Sequence, residues 1–314
     1  MLEMIILFVI ALIVIIIWLN VLYKHTNHYK EGLSDVLKFK KPISQNVEIA
    51  VIGSNHPKYA FDFQETDIRG VNWAIGPEAF EYDYVILKKN VSKLADGATV
   101  VMPICLFSFF LYRFDNTNTY LKYYHILNKE EFPHYSVLGK VKSIFPLLFY
   151  PKLIRYIFKD IQPSNSLFVG YNPKGTEEEL NKDADNWIRG WEKQFNISLN
   201  EISLSDKNKC DIQENIQILK DMIEFCLSKK LKPVIAILPV TNYLYSKFTS
   251  EFVEKHILAY IVEANEAKVP VKNYLTDERF TDSSLYINSF FFNTRGRKKF
   301  TKQFVEDLRA QSIL

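Results

Sequence analysis

The chain opens on an apolar run, MIILFVIALIVIIIWLNVLY, that holds no charged position over residues 4–23. Wound as a helix, such a run rises about 30 Å, the thickness of a bilayer's hydrocarbon core, and so predicts one transmembrane helix. A cleaved signal peptide carries basic residues ahead of a shorter apolar core and small residues at its cleavage site. Here Glu3 precedes the run and Trp18, Asn20 and Tyr23 close it, so the helix is expected to remain as a single-pass anchor in the cell membrane. Residues 24–46 turn polar and include KFKKP, the pattern of a juxtamembrane linker whose lysines face anionic lipid headgroups. Lys24, Lys30, Lys38, Lys40 and Lys41 all follow the run, and basic residues on that side of a span favour the cytoplasm for what comes after.

Beyond residue 46 the pattern alternates between β-branched runs and helical periods. VEIAVIG (47–53), ATVVMPI (98–104), PVIAILP (233–239) and VPVKNYL are short strand-like runs. Between them, residues 77–94 open on Pro77 with a helical period, and DIQENIQILKDMIEFCLSKK places Ile216, Leu219, Ile223 and Cys226 on one face, with Asp211 as the expected cap. Residues 249–265 and TRGRKKFTKQFVEDLRAQ complete the set as further helices. Strands alternating with helices predict an α/β domain over 47–314, a mostly parallel sheet covered on both faces with its site outside the carboxyl ends of the strands. A long aromatic and basic stretch reads as a helical insertion at about 108–208, a candidate lid, partner surface or membrane-facing patch.

Composition narrows the function classes. With 39 Lys and Arg against 36 Asp and Glu, the net charge of +3 points to no nucleic-acid surface, and no nucleic-acid module is present. Cys105, Cys210 and Cys226 have no CxxC spacing and lie in apolar segments, so they are expected as packing residues, with no disulfide and no cysteine-held metal. NKDADNWIRGWE (181–192) spaces Asn181, Asp183, Asp185 and Glu192 as a calcium loop does, with Asn186 where such a loop wants glycine; a solvated acidic turn is the simpler expectation. No metal and no cofactor is predicted.

Ser54, in AVIGSNH, follows the first strand and a glycine, where a hydroxyl would stand clear of the sheet. VIGSNH, NWAIGPEAF, VVMPICLFSFF, PVIAILPVTNY and NTRGRKKF, taken in order, resemble the SGNH (GDSL-type) hydrolase superfamily, and more narrowly its membrane-anchored members in surface-polysaccharide and teichoic-acid modification. The resemblance covers about residues 47–312 and implies a three-layer, flavodoxin-like domain facing outward. By it Ser54 matches the nucleophile and one oxyanion donor, and Gly76 a second donor. A third donor, an asparagine after the third strand, has no counterpart in PICLFS. In NSFFFNTRG, Asn293 and Gly296 match the terminal motif, but Asn288 stands where the superfamily has its aspartate and Phe291 where it has its histidine.

Serine needs a base, and neither phenylalanine nor asparagine serves as one. His56, two residues from Ser54, reads as a turn or substrate contact; His125, His134, His256, Asp277 and Asp282 have no spacing that marks one of them as a replacement. Asn293 and Arg295, with Arg297, Lys298 and Lys299, open the terminal helix at the predicted edge and are candidates to hold a phosphate or acidic sugar. Two readings stay open: an acyl (O-acetyl) transfer or removal enzyme using Ser54 with an atypical base, and a catalytically inactive relative that binds a surface glycan or glycolipid, or a membrane-bound O-acyltransferase.

Overall fold

The computed structural model describes residues 1–40, 45–77, 79–110, 120–159, 176–199 and 203–314. The chain divides into two units, Met1–Ile43 with Phe114–Asn165, and Ser44–Arg113 with Ser166–Leu314.

In the N-terminal unit the apolar run forms α1 (Leu2–His25), long and apolar enough to cross a membrane. Its side chains are exposed almost throughout; Asn20 and Tyr23 are the buried exceptions. Within the expected juxtamembrane linker, 24–46, short helices form at Asn27–Gly32 and Ser34–Leu37, the first capped by Thr26, which accepts from the Tyr29 amide at 3.2 Å. Short helices of residues 120–159 complete the unit, tied by the Tyr124 hydroxyl, which meets both the amide and the carbonyl of Ser136. Of the helical insertion expected at about 108–208, residues 120–159 fall in the unit of the anchor helix and 176–199 in that of the sheet.

The second unit runs β1 (Val47–Val51), α2 (Asn55–Ala60), β2 (Gly70–Asn72), α3 (Phe80–Asn90), β3 (Leu94–Ile104), α4 (Glu177–Phe195), α5 (Asp206–Ser228), β4 (Lys232–Ile237), β5 (Val271–Asn273) and α6 (Thr294–Ala310). All pairings are parallel and the strand order is β2-β1-β3-β4-β5. Residues 98–104 of β3 and 233–237 of β4 are buried without a break. Successive strand residues point to opposite faces, so unbroken burial means that both faces of the sheet are covered. Ile49, Val51, Val101, Val234 and Ala236 share one core cluster with Phe61, Phe300 and Phe304.

Two local readings change. Helix α5 starts at Asp206 with Ser205 as its cap, and Asp211 instead pairs with Lys207 one turn earlier, at 2.8 Å. The 181–192 pattern is not a calcium loop: it lies inside α4, which a Thr176/Glu179 capping box starts upstream. Along a helix these oxygens fan out and take separate partners, Ser289 for Asp183, Lys247 for Asp185 and the Leu199 amide for Glu192. Of the three free cysteines, Cys226 is buried and Cys105 half-buried, while Cys210 is exposed rather than packed.

Candidate functional site at the carboxyl edge of β1

Ser54 stands where β1 ends. Gly53 turns the chain at φ +122°, and a side-chain carbon there would come within 2.6 Å of Pro57 Cγ, so the turn requires glycine. Ser54 then caps α2 with its backbone. The segment after β2 lies alongside: the Trp73 amide donates to Val51 O at 2.7 Å and the Ile75 amide to Gly53 O at 2.8 Å. A Cβ on Gly76 would meet Asn55 Oδ1 at 1.6 Å and Asn55 Cα at 3.2 Å. Gly76 thus sits directly against the residue after Ser54, and glycine is what permits that approach. Asn72, which sequence reasoning missed, holds the arrangement: its amide donates to Pro57 O at 2.9 Å and Phe61 O at 3.1 Å while its carbonyl accepts from Ala74 N at 3.0 Å.

The loop before α6 brings aromatic rings rather than a base. Asn288 Oδ1 accepts from the amides of Phe290 (2.9 Å) and Phe291 (2.8 Å), a tight Asx turn. Ser289 is anchored from both sides, donating to Asp183 through its amide and hydroxyl and accepting from the Thr241 hydroxyl at 2.7 Å. So fixed, the loop packs Phe291 edge-on to Tyr59 (4.9 Å between ring centres) and Trp187 (5.6 Å), and Phe290 against His56 (4.4 Å), Trp187 and Trp191 (5.2 Å each). Trp187, Tyr59 and Phe291 are half-buried, each keeping part of its ring in contact with solvent. The tryptophans come from the insertion, and only their aromatic density marked them in the sequence.

None of the alternative bases is poised for the task. His56 is 2% exposed, which removes the expected substrate contact. Its Nε2 lies 3.2 Å from Pro239 O, and since a carbonyl only accepts, that nitrogen carries the proton. Nδ1 is a buried lone pair without a hydrogen-bond partner, and desolvation pushes the imidazole down to about 3, so it stays neutral. Asp277 is clamped by Arg279, which also grips Asp307, and is held below the usual carboxylate range by that hydrogen bond. Asp282 folds back on Ser284 and is lowered likewise. His256 is lowered by burial, with Nδ1 at 2.8 Å from the Tyr260 hydroxyl. His125 and His134 belong to the N-terminal unit.

The basic cluster at the start of α6 is largely spent on the protein itself. Arg297 donates to Phe61 O at 2.9 Å, Lys298 pairs with Glu65 and Lys299 donates to Arg279 O at 2.7 Å; Arg295 is exposed. Asn293 is 3% exposed and is a cap rather than a substrate contact: it accepts from Gly296 N at 3.0 Å and donates to Ser284 O at 2.7 Å. Asn293→Ala is expected to cost about 1–2 kcal/mol in chemical denaturation, whereas Lys302→Ala, at an exposed position further along α6, leaves the midpoint unchanged. Equal, negligible shifts would refute the capping role. Among the described residues no three His, Cys, Asp or Glu side chains gather as a metal site.

A parallel five-stranded sheet with a serine turn at the end of its second-ordered strand defines an α/β protein of the three-layer, flavodoxin-like class. No known family profile and no curated protein matches the sequence. Among solved structures, the chain is similar to one provisionally described as a platelet activating factor from Streptococcus pneumonia, at 13% identity and TM-score 0.40 over 89% of this chain and 92% of that one. It is also similar to one provisionally described as an acylhydrolase from Bacteroides fragilis, at 9% identity and TM-score 0.37 over 88% and 95%.

Proposed function

We propose that the chain is a membrane-anchored SGNH-like protein of the cell envelope that binds a surface glycan or glycolipid at the Ser54 edge without turning it over. The observation that carries this is Phe291, packed with Tyr59 and Trp187 where the resemblance would have the histidine base. Half-buried rings offer flat apolar faces to the C–H surfaces of sugars, and a desolvated, neutral His56 behind them cannot store a proton. A membrane-bound O-acyltransferase beside the anchor would then supply the chemistry.

The second reading, acyl transfer through Ser54, is favoured by one feature: Gly76 packs against Asn55, the residue after Ser54, so both candidate oxyanion donors belong to one small region. Fluorophosphonate labelling of the detergent-solubilised full chain separates the two. The expected result is no labelling above that of Ser54→Ala. Labelling that disappears in Ser54→Ala would sink the binding-only proposal in favour of an activated serine.

A further inference from the structure

We propose that residues 137–159 sit on the surface of the bilayer that α1 crosses, with Val137, Leu138, Leu148, Ile154 and Phe158 dipping among the headgroups and upper acyl chains of anionic lipid. This rests on reading α1 as a membrane span.

The first observation is a helix turned inside out for water. In the helix Val137–Ile144 the buried residues are Gly139 and Ser143, while Val137 and Leu138 are 71% and 55% exposed. A helix facing water does the reverse, turning its Val and Leu inward and its small polar residues outward. The outward apolar set continues through Leu148 at 54% and ends at Phe158, 77% exposed.

The second observation is where this surface is fastened. The helix Pro146–Phe149 packs on α1, and the Leu147 amide donates at 3.0 Å to Asn20 Oδ1, a side chain otherwise costly in an apolar helix. Asn20 lies about 27 Å along the helix from Leu2, the depth of the far headgroup region for a span that starts there. Trp18, 59% exposed on the turn before, is a residue type enriched at that level. His28, just past α1, stacks on Tyr156 at 3.7 Å and fastens the far end of the segment to the same place.

The third is charge. Residues 137–159 carry Lys140, Lys142, Lys152, Arg155 and Lys159 and no acidic residue. Apolar side chains interleaved with cations of one sign match an anionic interface, where the hydrophobic and electrostatic contributions add.

The test uses the full chain reconstituted in phosphatidylglycerol-containing liposomes, with the photocrosslinker p-benzoylphenylalanine placed singly at Phe8, Leu138, Phe158 or Val262. All four positions are exposed, so folding is preserved. Lipid adducts are expected at Phe8, Leu138 and Phe158, at least about fivefold above Val262, an exposed apolar position of the α/β unit. Adducts at Phe8 with none at Leu138 or Phe158 overturn the proposal while the span stands. Adducts at none of the four remove the span and the proposal with it. Labelling of Val262 as strong as that of Phe158 also overturns it, since exposure alone would then explain the adducts.

Discussion

The double substitution Asn288→Asp, Phe291→His is expected to create Ser54-dependent fluorophosphonate labelling that the native chain lacks, about a hundredfold above the Ser54→Ala background, the lower range of what a positioned general base contributes. The loop is prepared for both changes. An aspartate at 288 accepts from the amides of Phe290 and Phe291 as Asn288 does now, with one carboxylate oxygen, and keeps the other to orient an imidazole at 291. The ring at 291 keeps part of its surface in solvent, so a histidine there is less desolvated than His56, which burial holds neutral. Loss of the edge-on contacts with Tyr59 and Trp187 costs about 1 kcal/mol, too little to unfold the unit. Phe291→His alone is expected to give a smaller rise and Asn288→Asp alone none, because a carboxylate without an imidazole does not reach the serine proton. If the folded double variant is as unreactive as Ser54→Ala, the correspondence of position 291 with the superfamily's base position is wrong.

Acid should destabilise the α/β unit over a window set by His56. In the unfolded chain this histidine titrates near 6.5, while in the folded chain burial holds it at about 3. A depressed folded value means that the unfolded state binds the extra proton first. Stability is then intact above pH 6.5, declines as the pH falls below it, and levels off near 3. At pH 4 this single group removes about 3 kcal/mol. Half-buried His125, pushed down to about 4 by desolvation, adds a contribution of the same sign in the N-terminal unit. The carboxylates of Asp277 and Asp307, lowered with Arg279 as their common partner, act in the more acidic range below their ordinary values. Urea denaturation of the full chain in detergent at pH 7, 5.5 and 4, followed by tryptophan fluorescence, should show the decline. His56→Gln, which keeps a donor for Pro239 O, should start less stable yet flatten the slope by nearly one proton. Identical slopes in the two proteins would mean that His56 is not buried as a neutral ring.

Both predictions turn on contacts between distant parts of the chain. The departure at 288 and 291 was legible as a change of residue type, but what occupies the space was not: Trp187 and Trp191 come from the insertion, a hundred residues before Phe291, and Asp183 on the same helix fixes Ser289. His56 read equally well as a ligand contact until its burial under Phe290 was known. The 181–192 stretch illustrates the limit from the other side. Its acidic spacing suits a loop or a helix, and the local signal that decides for helix, the Thr176 and Glu179 capping box, lies just upstream of the pattern.

The features legible without coordinates are those that depend on neighbours in the chain: an apolar run long enough to span a bilayer, the alternation that makes a parallel α/β sheet, and the glycine and serine that turn the chain at the end of β1. These rest on length, period and backbone freedom, all local quantities. Packing in three dimensions makes Asn293 a cap, turns Arg297, Lys298 and Lys299 onto protein acceptors, lines the Ser54 edge with aromatic rings, and leaves Val137, Leu138 and Phe158 facing outward. Burial and partner choice arise from packing between elements remote in sequence, and a side chain's chemistry follows from that environment more than from its type.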